Sequence, residues 1–228
     1  MTDLERFHAC MNYQEVDHAP FWTWGEWPET IERWEREGYD KDNFDLNMGA
    51  DIRQTPGGWF DPNPPLANEI LDETEEYILY SDDDGIVKRE MKNNPLSSMP
   101  QFVKFPVETR AEFRKFWKER MQPDLAKRIG PDWKTHLQSI RERPIPLNII
   151  AGLWGGFFGP LRNLVGVEKL CTLFCDDPVF LEEMMDADAD FLIAMMTQVL
   201  EVVTIDAFIF WEDMAYKTAP LISPNMVR

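Results

Sequence analysis

The chain has 228 residues, 44% of them hydrophobic and 13% aromatic, which is ample for one packed domain and excludes a disordered one. Its 41 acidic against 23 basic residues leave a formal charge of -18, which repels polyphosphate and disfavours nucleic acid and anionic membrane as partners, in favour of small molecules or proteins. Three cysteines, a polar and charged start at Met1–Cys10 and no apolar run of about 18 residues point to a reduced, cytoplasmic, soluble protein.

In chain order, Leu4–Met11 has the apolar spacing of a short amphipathic helix and leads through a turn at Gln14–His18 into Ala19–Gly25, a first strand. Pro28–Gly38 has helical periodicity in Ile31 and Trp34 and ends on a glycine suited to a helix C′ position. Phe44–Ile52 reads as a second buried strand, followed by a Pro/Gly-rich loop, Thr55–Pro65, that carries Trp59 and Phe60. Alternation from Ile70 to Met91 around Asp82-Asp83-Asp84-Gly85 predicts an inserted β-hairpin whose turn needs a glycine of positive φ. Glu108–Met121 and Pro123–Ile129 are helical, with Phe113, Phe116 and Trp117 as a core stripe. Ile145–Leu153 is a third strand, ending in Trp154-Gly155-Gly156-Phe157-Phe158-Gly159-Pro160. Helices follow at Leu161–Phe174 and Pro178–Leu200, the second with Asp176 or Asp177 as N-cap and proline at N1. Ala207–Trp211 is a fourth strand that delivers Glu212 and Asp213 at its C-terminal end.

Strands alternating with helices, and apolar throughout, predict an α/β fold with a parallel sheet covered on both faces. In such folds ligands bind at the C-terminal strand ends, here Trp24–Trp27, Arg53–Trp59, Trp154–Gly159 and Glu212–Lys217.

The opening Arg6-Phe7 through Glu15-Val16-Asp17-His18-Ala19-Pro20, the segment Gly155–Val167 with its Gly-Pro pair, and Asp206–Pro224 with Phe210-Trp211-Glu212-Asp213 and Ser223-Pro224 together resemble the uroporphyrinogen decarboxylase superfamily, which includes corrinoid-dependent methyltransferases. The resemblance runs along nearly the whole chain, with His18 where the family usually has an arginine. It implies a (β/α)8 TIM-type barrel, of which residues 1–228 would supply the first four strands as a single incomplete domain with the hairpin near 70–91 inserted. A truncated product is the expectation; a homodimer of half barrels is the alternative.

The family's decarboxylases hold a polycarboxylate tetrapyrrole with arginines just after the first strand, whereas this chain has Trp22, Trp24, Glu26 and Trp27 there. With Trp59, those residues could form an aromatic pocket with one carboxylate, suited to methylated ammonium groups; alternatively the tryptophans pack the barrel interior. The resemblance then implies methyl transfer between a small methylated substrate and a corrinoid cofactor or corrinoid protein, with tetrapyrrole decarboxylation and a binding-only fragment as alternatives. Trp154 and Tyr216 join the predicted binding rim. The family's zinc ligands, a His-x-Cys pair and a later cysteine, belong to the second half of the barrel, and no metal is predicted. His8-Ala9-Cys10 sits in a helix, and Cys171 and Cys175 read as core. Glu212 and Asp213 are the candidate general acid or base because burial at a strand end raises a carboxyl pKa, with capping or ion pairing at the rim as the alternative. The resemblance also matches Asp51 to a substrate-facing acid of the second strand.

Overall fold

The computed structural model describes residues 1–23, 26–40, 48–54, 59–95 and 99–227, apart from the Leu153 side chain. Trp24 and Gly25 of the first predicted strand, residues 44–47 of the second, and 55–58 of the loop lie outside it.

The parallel part is short. Strands β5 (Asn148–Ile150) and β6 (Ala207–Ile209) pair in parallel, Asn148 opposite Ala207 and Ile150 opposite Ile209. Gln54 continues that order by a parallel bridge to Leu147: its N–H donates to the Pro146 carbonyl at 2.8 Å and its carbonyl accepts from Asn148 at 2.9 Å. One position further out, the Asp51 N–H donates to the Phe21 carbonyl at 2.8 Å. Spatial order thus follows chain order, as crossover connections require. Residues 19–23 form no strand of their own, Pro20 having no N–H for a ladder, and the described residues close no barrel. The second predicted strand lies partly outside the described residues; within them the segment pairs at Gln54, with Asp51 at its start.

The insertion is larger than a hairpin. Strands β1 (Glu69–Glu73), β2 (Tyr77–Ser81), β3 (Val87–Met91) and β4 (Gln101–Lys104) form an antiparallel meander in that order. The β2–β3 turn closes as predicted: Gly85 has φ +81°, and the Ile86 N–H donates to the Asp82 carboxylate at 2.9 Å. This turn reaches back to the rest of the molecule through the Trp154 indole N–H, which donates to Asp84 Oδ1 at 2.8 Å.

Helices α1 (Asp3–Met11), α2 (Pro28–Arg36), α3 (Arg110–Arg120) and α4 (Leu125–Ile129) match expectation within a few residues. Capping boxes Thr2/Glu5 and Thr109/Glu112 fix the starts of α1 and α3 by satisfying N–H groups the helix cannot. An unpredicted α5 (Trp133–Ser139) buries Trp133 and Leu137, an i, i+4 pair. The predicted helix from Leu161 is two: α6 (Phe158–Val165) and α7 (Val167–Asp176), divided at Gly166, where the Phe105 ring sits against the glycine as no larger residue would allow. Helix α8 (Pro178–Leu200) has the predicted bounds, with Asp177 as N-cap. A short α9 (Pro224–Val227) follows. Leu181, Met184, Phe191, Leu192, Met195 and Val199 of α8 pack into one core with Leu147 and Ile149 beside β5 and with the aromatics of α3. No helix among the described residues is long and apolar enough to cross a membrane.

Candidate functional site

The C-terminal ends of β5 and β6 meet closely. The Trp211 N–H donates to the Gly155 carbonyl at 2.7 Å. A Cβ on Gly156 would lie 2.7 Å from Glu212 Oε1, and one on Gly159 would lie 2.2 Å from the Trp211 carbonyl. The glycines of this loop are therefore required by approach, since any side chain would drive the two strand ends apart. Into the gap goes Glu212. Its carboxylate accepts from the N–H groups of Phe157 (2.5 Å), Phe158 (2.8 Å) and Gly159 (3.3 Å), the unsatisfied donors at the start of α6. Of the predicted roles for Glu212, the geometry is that of a cap.

Behind it stands a carboxyl that sequence reasoning missed. Asp188 interrupts the apolar stripe of α8 and is fully buried, 0% exposed. Neither of its oxygens has a hydrogen-bond partner among the described residues. Burial, and secondarily the negative charge of Glu212, push its pKa up to about 8, so it is a neutral acid near pH 7. The signal was present in the sequence as an aspartate in phase with Leu181, Met184, Phe191 and Met195.

Two further acids are raised at the same end. Asp61 is raised by burial and then by the neighbouring Asp83, and Asp84 by burial against the opposing hydrogen bond from Trp154. Burial also pushes the Arg128 guanidinium down to about 10, where it donates to the carbonyls of Trp59 (3.0 Å) and Asp61 (2.5 Å). Asp213 faces solvent and makes a long ion pair with Arg162, 3.4 Å.

The remaining predicted residues do not assemble. Asp51 lies at the opposite, N-terminal end, where its carboxylate accepts from the Phe21 N–H (2.7 Å) and from buried Arg6, with His18 at 3.1 Å. Trp22 packs on Phe7, ring centroids 5.6 Å apart, with the Arg53 guanidinium over its other side at 5.2 Å. Trp27 is the N-cap residue of α2 and is 62% exposed, Glu26 is half-buried beside it, and Trp24 is outside the described residues. Trp59 and Trp154 are buried in the core, Trp154 stacked on Phe116. Tyr216 is exposed in the last loop. Trp22 is thus engaged by Phe7 and Arg53 and Trp59 by the core, while Trp24 lies outside the described residues.

Among the described residues no group of three or more His, Cys, Asp or Glu is placed to hold a metal ion. Of the cysteine pair, Cys171 borders the core and Cys175 is exposed. The chain matches no family model, no curated protein and no solved structure.

Proposed function

We propose that this chain is part of a (β/α)8-type barrel similar to the uroporphyrinogen decarboxylase superfamily, and that its chemistry is methyl transfer from a small methylated substrate rather than tetrapyrrole decarboxylation. The parallel pairing of Gln54, β5 and β6, with Phe21 hydrogen-bonded next to Gln54's segment at Asp51, supports the barrel reading. One observation carries the choice of substrate: the guanidinium groups at this end are already engaged. Arg162 is paired with Asp213, and Arg128 is held by the carbonyls of Trp59 and Asp61. A polycarboxylate needs free, forked guanidinium donors, and it would meet Glu212, Asp213, Asp61 and Asp84 instead. A neutral or cationic methyl donor meets no such repulsion.

The described cavities, of about 200 to 340 Å³, are too small to enclose a corrin ring, so a corrinoid would come to this chain on a partner protein. What the chain contributes is the holding of the donor. A carboxylate beside a methylated ammonium holds the positive charge; as the methyl carbon forms its new bond with the acceptor's electron pair, the nitrogen would keep the pair of the broken C–N bond. Adding choline, betaine or trimethylamine to the purified chain with a reduced corrinoid, and following loss of the corrinoid's visible absorbance, tests this reading. Donor-dependent loss is expected; conversion of uroporphyrinogen with no such loss overturns it.

A further inference from the structure

A groove of about 200 Å³ opens beside Glu212, lined among others by Phe157, Phe158, Phe174, Met185 and Met214. No lysine or arginine is among its lining residues. Three aromatic rings, methionine thioethers and a single carboxylate are the chemistry that holds an apolar organic cation, because ring faces and the carboxylate both attract positive charge while the ligand's methyl groups leave water. Asp188 lies one turn beyond Met185 on the same side of α8, fully buried, with both oxygens unpartnered among the described residues and Glu212 as the charge acting on it. A buried carboxyl without partners leaves an interaction unmade that a cation nearby would complete.

We propose that the groove between the start of α6, the end of α7, α8 and the Glu212–Met214 segment is a binding site for a small quaternary ammonium ion, with Asp188 as the buried acid whose ionisation is coupled to binding. The proposal takes the class of its ligand from the methyl-donor reading above. The volume limits the occupant to something the size of choline or tetramethylammonium, below the roughly 300–1,000 Å³ of sites for drug-sized ligands.

Coupling follows from the surroundings of Asp188. On α8 itself, Glu182, Asp186 and Asp190 are exposed on the outer side, and Glu183 pairs with Arg114 at 2.6 Å. On α6, Arg162 is committed to Asp213, and on α7 burial pushes the Cys171 thiol up, keeping it neutral. Arg128 lies over the Phe191 ring, at 4.7 Å, and among the described residues Glu212 is the charge that acts on Asp188, which with burial holds the proton there. A bound ammonium supplies the missing positive charge, favours the carboxylate and releases that proton.

The test is calorimetric titration of the full chain with choline, with tetramethylammonium and with the uncharged tert-butyl isostere of choline, near pH 7 in buffers of different ionisation heat. Choline is expected to bind at least tenfold tighter than its isostere and to release a fraction of a proton. Asp188→Asn, which keeps shape and removes the titration, abolishes the release. Phe174→Ala at the groove margin weakens choline about tenfold. Glu212→Gln is avoided because it loosens α6. Equal binding of the uncharged isostere, proton release that persists in Asp188→Asn, insensitivity to Phe174→Ala, or no binding of either cation would each overturn the proposal. Choline binding here with no methyl loss in the corrinoid assay breaks the functional reading alone; methyl transfer with this groove empty breaks this one alone.

Discussion

The two ends of the parallel segments are built on opposite electrostatic rules. At the N-terminal end every buried charge has a partner: Arg6 is bonded to Asp3 (2.7 Å), Asp17 (2.6 Å) and Asp51, and Asp206 takes Arg143 (2.5 Å), His8 (2.7 Å) and the Leu147 N–H (2.8 Å). The Arg6 hydrogen bond holds Asp17 well below the ordinary carboxylate range, and Asp17 in turn raises Arg6. Asp3 is lowered too, the Ile52 N–H and Arg6 outweighing its burial. At the C-terminal end Asp188, Asp61 and Asp84 are all raised by burial. One end spends its charge on structure and the other keeps acid raised by burial, and in parallel sheets the strand C-termini are where ligands bind.

The largest effect that separates them is pH dependence of stability. Asp188 titrates near 3.8 when unfolded and about 8 when folded, so between these values the folded chain holds a proton the unfolded chain has lost. Stability then falls as pH rises through that interval, with a limiting slope of about 1.4 kcal/mol per pH unit, and levels off above it. Asp61 and Asp84 act in the same direction. Asp3 and Asp17 act in the other: their contribution is present above about pH 4 and is lost as pH falls below it. Urea unfolding across pH should show a maximum near pH 4–5, and Asp188→Asn should flatten the alkaline side only. A variant that leaves that side unchanged removes the contrast between the ends. Arg6→Ala should cost about 3 kcal/mol at pH 7, because buried Asp51 loses its cation, and a loss below 1 kcal/mol would make the N-terminal network ornamental.

Parts of the fold were legible in sequence, the charge contrast was not, and the failures have physical causes. Helix α8 was placed to the residue because proline at N1, an aspartate before it and a long apolar stripe agree. Strand order was legible because apolar runs alternate with helices. The register of the second segment was not: the two backbone hydrogen bonds of Gln54 set the pairing seen there, and apolar pattern alone does not fix which residue meets Leu147. Asp51, expected near the end of that segment, stands at its start. The meander was read as a hairpin because β1 and β4 are exposed and show weak alternation. At the candidate site Glu212 was visible as an acid at a strand end, yet Asp188 was passed over as one more aspartate in an acidic helix. Only the tertiary packing of α8 shows that it is the one acid of that helix turned fully inward.

Glu212 stands between the two kinds of charge, paired as the N-terminal acids are but to backbone dipoles rather than cations. Glu212→Gln keeps one acceptor and places an NH₂ group against N–H donors, so about 2 kcal/mol of stability should be lost at pH 7. Amide hydrogen exchange of Phe157–Gly159 should accelerate most. Unchanged protection there would mean that the glycine loop, rather than the carboxylate, orders the start of α6.

The smallest expected effect is the sharpest test of what the C-terminal end is for. Asp213 and Arg162 meet at 3.4 Å through a single carboxylate oxygen, and the Asp213 side chain is more than half exposed. Such a pair is solvent-screened and contributes about 0.5 kcal/mol or less. Asp213→Asn should therefore leave the urea midpoint and m-value almost unchanged, unlike Arg6→Ala. It also frees the Arg162 guanidinium to hold a carboxylate at this end. If charge here serves recognition, Asp213→Asn should bind acetate or a porphyrin carboxylate more tightly than the parent chain while its stability stays put. Loss of stability on the scale of Arg6→Ala would show that this end, too, uses its charges to hold the fold.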